Sequence, residues 1–112
     1  MSPMQQPARI TFRDIEHSEA IETRVRERVA KLEEFYDRIT SCHVVLSSPH
    51  HSHHQGRIYH VHIDLVVPGH EIVISRDNDK NHAHEDVYIA IRDAFNVAER
   101  QLREYARRQK GQ

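Results

Sequence analysis

Residues 59–75 read YHVHIDLVVPGHEIVIS, and this stretch decides the fold. Apolar and polar residues alternate in its first half: Tyr59, Val61, Ile63, Leu65 and Val67 fall on one side, and His60, His62 and Asp64 fall on the other. Because successive side chains of a strand point to opposite faces, the alternation predicts a strand with one buried face. Residues 68–70, PGH, signal a tight turn. The segment EIVIS then predicts the returning strand of a hairpin, with Ile72 and Ile74 directed inward.

Two further strands and two helices are predicted around this hairpin. Residues 8–15 and 39–47 alternate, with Ile10 and Phe12 on one face of the first and Cys42, Val44 and Leu46 on one face of the second. Residues 17–36 repeat apolar side chains at every third or fourth position, which predicts a helix of about five turns with Ser18 as its N-cap. Its buried stripe comprises Ile21, Val25, Val29, Leu32 and Tyr36. A final helix from about Asp86 buries Val87, Ile91, Ala94, Ala98, Leu102 and Tyr105.

The element order is therefore β-α-β-β-β-α, an α+β fold. A four-stranded sheet with two helices packed on one face satisfies every periodicity. At 112 residues the chain has the length of one domain. We expect a disordered N-terminal segment over residues 1–7, the domain over residues 8–108 and a short C-terminal tail over residues 109–112.

Composition excludes several classes of protein. No apolar run approaches the ~20 residues that span a bilayer, and the N-terminus lacks the pattern of a secretion signal, so we expect a cytoplasmic protein without a membrane partner. The single cysteine, Cys42, excludes an internal disulfide and cysteine-based zinc motifs. No nucleophile elbow, phosphate loop or His-Glu-x-x-His helix is present. These observations predict a protein that is not an enzyme and has no cofactor and no small-molecule substrate.

Residues 47–64 contain six of the eleven histidines. They could supply a Zn²⁺ or Ni²⁺ site, with candidate ligands His50, His51, His53, His54, His60 and His62. However, structural zinc sites hold a closed set of four ligands on rigid elements, whereas HHSHH places its histidines in a predicted loop. The favoured interpretation is a solvated loop and a polar sheet face, with no metal site.

Basic residues are concentrated in the last helix. The net charge is −1, yet residues 87–112 hold six basic and three acidic residues. At 100° per residue, one narrow sector opposite the buried stripe holds Arg92, Asn96, Arg100, Arg103, Arg107 and Lys110. Arg24, Arg28 and Lys31 line one flank of the first helix. Such cations could follow RNA phosphates. They could instead form an ordinary charged helix face with pairs such as Glu27–Lys31 and Glu99–Arg103, and charge pattern alone favours this second interpretation.

The chain resembles the ribosome hibernation-promoting factor family, which includes ribosome-associated inhibitors. The resemblance covers about residues 8 to 108 and is carried by ITFRDIEHSEAIETRVRERVAKLEEFY, by the hairpin and by HEDVYIAIRDAFNVAERQLREYARR. Its most specific parts are Asp86, Tyr88, Ala90 and Ile91, which match a D-x-Y-x-A-I helix start, and Arg100–Arg103, which match R-Q-L-(R/K).

This resemblance implies a fold related to double-stranded-RNA-binding domains with an extra leading strand. It also implies binding to the small ribosomal subunit, in the channel for mRNA and tRNA, which stops translation under stress. The implied rRNA contacts are Arg24, Arg28, Lys31, Arg92, Arg100, Arg103 and Arg107, and Lys110 continues the same sector. We expect a monomer that binds this RNA. The alternatives are a histidine-rich metal-binding protein and a protein-interaction module without an RNA role.

Overall fold

The computed structural model of the chain describes residues 7–48, 51–52, 56–57, 59–76 and 86–110. The elements within these residues follow in the order β1 (Arg9–Arg13), α1 (Glu19–Phe35), β2 (Ser41–Ser47), β3 (His51–Ser52), β4 (Gly56–Arg57), β5 (His60–Val67), β6 (His70–Arg76) and α2 (Val87–Lys110).

Four strands form one mixed sheet in the order β1-β2-β5-β6. The edge strand β1 runs parallel to β2, because α1 connects them as a crossover, and the other neighbours are antiparallel. The predicted α+β fold with four main strands and two helices is confirmed. The region predicted as a histidine-rich loop also contains a separate two-stranded ribbon, in which β3 pairs with β4. Strands of two residues are too short to show a period in the sequence.

The hairpin of β5 and β6 confirms the predicted alternation. Ile63 lies opposite Ile74, and Leu65 lies opposite Ile72, so these four side chains meet on the buried face. Pro68 and Gly69 form the turn, and Gly69 has φ +74°. A proline followed by a glycine with positive φ is the pattern of a type II turn. This turn fixes the register of the hairpin and determines where its tip meets α2.

The core lies between the sheet and the two helices. Every predicted apolar position of β2 and β6 is buried, as are Val25, Val29 and Leu32 of α1 and the entire predicted stripe of α2. Ile10, Phe12, Ile21, Tyr36 and Tyr59 are partly buried against the same core. The predicted N-cap is confirmed, because the backbone N–H of Ile21 donates to Ser18 Oγ at 3.3 Å. The predicted start of α2 near Asp86 is also confirmed by a 2.9 Å bond from the Tyr88 N–H to Asp86 Oδ1.

The two helices lie side by side and run in the same direction. Near the start of both helices, Arg24 of α1 lies over the Tyr88 ring of α2. Near their ends, Tyr36 and Tyr105 meet edge to face, with ring centroids 5.5 Å apart. Because the two contacts occur in the same order along both helices, the solvent-facing sides of α1 and α2 form neighbouring strips of one surface.

Candidate RNA-binding surface

The basic flank of α1 faces α2. At 100° per residue, Arg24, Arg28 and Lys31 lie on one side of the buried stripe. The other side faces the edge strand β1, because Arg26 donates to the carbonyl oxygen of Ala8 at 3.1 Å and pairs with Glu22 at 3.0 Å. The predicted basic flank of α1 is therefore turned toward α2, and the opposite flank, with Glu22 and Arg26, is turned toward β1.

The basic residues of α2 lie on its exposed side, opposite the core. Arg92, Arg100, Arg103 and Arg107 are all exposed, while Ala94, Ala98 and Leu102 on the opposite side are fully buried. The side chain of Lys110 lies outside the described part of the structure. We call the seven cations of the two helices the helical basic surface: Arg24, Arg28, Lys31, Arg92, Arg100, Arg103 and Arg107.

Tyr88 joins the two halves of the helical basic surface. The Arg24 guanidinium carbon lies 5.0 Å from the centre of the Tyr88 ring, a cation–π contact between α1 and α2. Tyr88 is 37% exposed and lies one turn before Arg92 on the same side of α2. The flank of α1 is thus continuous with the start of the α2 stripe. The charge pattern predicted the cations but not Tyr88, although an aromatic residue one turn before Arg92 and away from the buried stripe is visible in the sequence.

Carboxylates neutralise part of this surface. Three of its cations pair with acidic residues of their own helix: Arg24 with Glu27 at 3.3 Å, Arg92 with Asp93 at 3.2 Å and Arg103 with Glu99 at 3.3 Å. The predicted Glu99–Arg103 pair is confirmed. The predicted Glu27–Lys31 pair is wrong, because Glu27 pairs with Arg24, which is one turn before it and equally within reach.

These ion pairs leave the surface available to a ligand. All three lie in solvent, where such pairs contribute little to stability and exchange readily for a stronger anion. Among the residues that the structure describes, Arg28, Lys31, Arg100 and Arg107 have no ion-pair partner. A stripe of exposed guanidinium groups on two adjacent helices can bind phosphates in bidentate fashion.

Comparison with known proteins identifies the family. The sequence profile of the family described as "Sigma 54 modulation protein / S30EA ribosomal protein" matches residues 8–110. The chain belongs to this family. The ribosome hibernation promotion factor of Deinococcus radiodurans is 32% identical over 99 residues, which are 88% of this chain and 48% of that protein. The chain therefore spans about half the length of this curated relative.

Two solved structures share the fold of this S30EA-family chain. A ribosomal subunit interface protein from Coxiella burnetii has a TM-score of 0.68 at 16% identity, and the match covers 88% of this chain and 96% of that one. The N-terminal domain of Protein Y from Thermus thermophilus has a TM-score of 0.66 at 23% identity, with 87% and 94% covered. At these identities the comparison establishes the fold alone.

The face of the sheet opposite the helices carries His43, His60 and His62 of the S30EA-family chain. The Arg9 guanidinium donates to His43 Nδ1 at 3.2 Å, so His43 Nε2 carries the proton and donates to Thr11 Oγ1 at 2.9 Å. Burial and then the nearby Arg9 charge lower the pKa of His43, which favours the neutral ring. His60 and His62 lie on the same face, as predicted.

The candidate metal ligands do not form a site within the described residues. No group of three or more histidine, cysteine, aspartate or glutamate side chains there could hold a metal ion. His50, His53 and His54 lie outside the described part of the chain, as does the side chain of His51. For those four the metal-binding alternative stays a prediction.

The same open face of the sheet has an acidic end. A hydrogen bond between the side chains of Glu71 and Asp64, together with the repulsion of their charges, raises the pKa of Glu71. Asp64 Oδ1 is buried and has no hydrogen-bond partner among the described atoms. Both carboxylates lie on the side of the sheet that faces away from the helical basic surface, as do the cations Arg9 and Arg13. No helix in the described part of the chain is both long and apolar enough to cross a bilayer.

Proposed function

We propose that this chain binds the rRNA of the small ribosomal subunit, in the channel that mRNA and tRNA use, and blocks translation there under stress. It acts without chemistry of its own: while bound, it occludes the path of mRNA and tRNA. The observation that carries the proposal is the continuous helical basic surface, in which the Arg24–Tyr88 contact joins the cations of α1 to those of α2.

The arrangement of these cations suits folded RNA. Proteins recognise double-helical RNA mainly by its shape and through contacts to phosphate and 2′-hydroxyl groups. Two parallel helices that expose guanidinium groups along their length provide such contacts at several points, with the sheet as a rigid support. Phosphate contacts position the protein, and base identity contributes little. The family supports a ribosomal target, since the Deinococcus relative is named as a ribosome hibernation promotion factor.

The first experiment measures binding to purified small subunits by co-sedimentation at about 50 and about 200 mM salt. If about six phosphates are contacted, the logarithm of the association constant falls with the logarithm of salt with a slope of about −4 to −5. A flat dependence on salt contradicts the proposal. Prior occupation of the subunit with mRNA and initiator tRNA should prevent binding of the chain. If the chain, mRNA and tRNA bind the subunit at the same time, the proposed binding in the channel is contradicted.

A pair of double variants locates the contact. Arg100→Glu with Arg103→Glu reverses two charges of the helical basic surface and should abolish binding to the subunit without unfolding the domain, since both side chains are exposed. Arg13→Glu with Arg38→Glu makes the same change of charge at exposed positions outside this surface and should leave binding almost unchanged. Equal losses in both variants would show that net charge, rather than this surface, determines binding. An in vitro translation assay should rank the variants in the same order.

A further inference from the structure

A groove lies beside the C-terminal half of α2, next to the turn of the β5–β6 hairpin. It is open to solvent, has a volume of about 790 Å³ and is lined by residues of both elements, among them Pro68, His70, Arg100, Glu104, Tyr105 and Arg108. Grooves of this size accommodate small organic ligands. Its lining residues combine two features that recognise nucleotides: a fixed aromatic stack and a pair of cations.

The aromatic stack is held rigidly. The imidazole of His70 stacks on the ring of Tyr105, with an interplanar angle of 8° and 5.8 Å between the ring centroids. Tyr105 is fixed in turn, since its hydroxyl donates to the carbonyl oxygen of Pro68 at 2.6 Å and its ring meets Tyr36 edge to face. His70 itself is exposed. A planar side chain held in place at an exposed position is a suitable platform for an unstacked base.

Charged groups lie around this platform. Arg100 and Arg108 line the groove, and neither has an ion-pair partner among the described residues. Glu104 lies between them on α2 and also lines the groove. Two guanidinium groups suit a phosphate. A single carboxylate suits the Watson–Crick edge of a base that presents N–H donors, above all guanine, whose two donors lie side by side.

Arg100 connects this groove to the helical basic surface. On α2 it lies at the margin of the exposed stripe, on the side turned toward the hairpin. An RNA backbone that follows the stripe therefore passes the mouth of the groove. We propose that the groove accepts a single unpaired nucleotide of the bound RNA, with its base on His70, its phosphate between Arg100 and Arg108, and a preference for guanine through Glu104.

This inference rests on the proposed function and adds a site that reads an unpaired base. Backbone contacts by the helical basic surface carry no sequence information, whereas the groove does. The chain would then prefer RNA in which a helix is interrupted by an unpaired guanosine at the correct distance from the phosphates on α2.

The test compares two labelled hairpin RNAs by fluorescence anisotropy at one salt concentration, using the full chain. One hairpin carries a single unpaired guanosine in its stem, and the other is fully paired. We expect the wild-type chain to bind the interrupted hairpin about tenfold more tightly. His70→Ala should remove this preference and leave affinity for the paired hairpin unchanged, and His70→Phe, which keeps a stacking ring, should retain it.

Two further variants separate the groove from the surface beside it. Arg108→Ala should reduce binding of the interrupted hairpin more than binding of the paired one, whereas Arg24→Ala, remote from the groove, should reduce both equally. Glu104→Gln should reduce the preference for guanosine over uridine at the unpaired position. A preference that survives His70→Ala, or equal wild-type binding of both hairpins, overturns the groove proposal while RNA binding stands.

The remaining outcomes are also decisive. Absence of binding to either hairpin and to small subunits defeats the proposed function, and the groove proposal falls with it. Guanosine monophosphate, added as a competitor, tests whether the groove binds a nucleotide only as part of an RNA strand. We expect the preference for the interrupted hairpin to remain when the mononucleotide is present. Loss of that preference at low concentrations of the mononucleotide would assign the groove to a free nucleotide instead.

Discussion

The guanidinium of Arg24 lies 5.0 Å from the centre of the Tyr88 ring, so that a cation of α1 rests on an aromatic side chain of α2. The contact has two consequences. It connects the two helices near their N-terminal ends, and it places the partly exposed Arg24 side chain over Tyr88, one turn before Arg92. The cations of α1 and α2 therefore form one surface, with the Tyr88 ring at the point where the two sets meet.

Replacement of that ring should weaken RNA binding without loss of the fold. We expect Tyr88→Ala to reduce affinity for small subunits about two- to fivefold. This is the effect of losing an exposed cation–π contact of about 0.5–1 kcal/mol, which holds Arg24 in place. Co-sedimentation measures the affinity, and thermal unfolding monitors the fold. Tyr88→Phe keeps the ring and should behave as the wild type does. Equal affinities for the alanine and phenylalanine variants would show that the contact does not organise the surface.

Removal of one carboxylate from the surface should strengthen RNA binding. Glu27 pairs with Arg24 at 3.3 Å, and Glu27→Gln makes that guanidinium available to a phosphate. We expect affinity to rise about two- to threefold at low salt, the size of an exposed charge interaction. Glu71→Gln is the matched control, since it makes the same change of charge on the opposite face of the sheet. An equal increase in both variants would point to net charge alone.

The stability of the fold should depend on the protonation of His43. Burial and then the Arg9 charge lower its pKa from the ordinary value of 6.5, so the folded chain takes up this proton only at a lower pH than the unfolded chain does. The neutral ring therefore contributes stability above about pH 6.5 that is lost as the pH falls through the folded pKa.

Urea unfolding of the wild type and of His43→Gln measures this contribution, because the other titrating groups are common to both chains. The stability advantage of the wild type should narrow from about pH 7.5 to about pH 5.5. An advantage that stays constant over this range would mean that the His43 ring titrates alike in both states. Arg9→Gln should also weaken the dependence, since Arg9 contributes to the lowered pKa.

Cys42 should report the opening of the core. Its side chain is 2% exposed, and burial, followed by the charges of Asp64 and Glu33, raises the pKa of its thiol to about 12. A thiol in this state does not react until the sheet opens. We expect a maleimide reagent to label the native chain far more slowly than the urea-unfolded chain, at a rate that follows stability across the variants above. Rapid labelling without denaturant would contradict the burial of this face of β2.

The alternation in β5 predicted the core side of the sheet because burial imposes a period of two on a strand directly. The pairing of β1 with β2 leaves no such trace in either strand. The register that sets Arg9 opposite His43 depends on α1, which connects the end of β1 to the start of β2. Phe95 and Ala90 were missed for a related reason: the predicted stripe on α2 was narrower than the face buried against both the sheet and α1, and both residues lie at its margins.

The candidate site likewise has one part that the sequence predicted and one part that it did not. The cations of α2 were predictable because they belong to one helix, and a rotation of 100° per residue places them together. The Arg24–Tyr88 contact and the groove at His70 could not be predicted from local patterns, since each joins residues that are distant in sequence. Local patterns thus identified the charged residues, whereas their connection into one surface depends on packing between elements.

The cations of the helical basic surface give that side of the molecule a positive local field despite a net charge of −1. Such a field favours those encounters with a polyanion in which α1 and α2 arrive first. Capture can then be fast at low ionic strength without the attraction for nucleic acid of every kind that a uniformly cationic protein shows. Productive encounters depend on orientation before they depend on affinity.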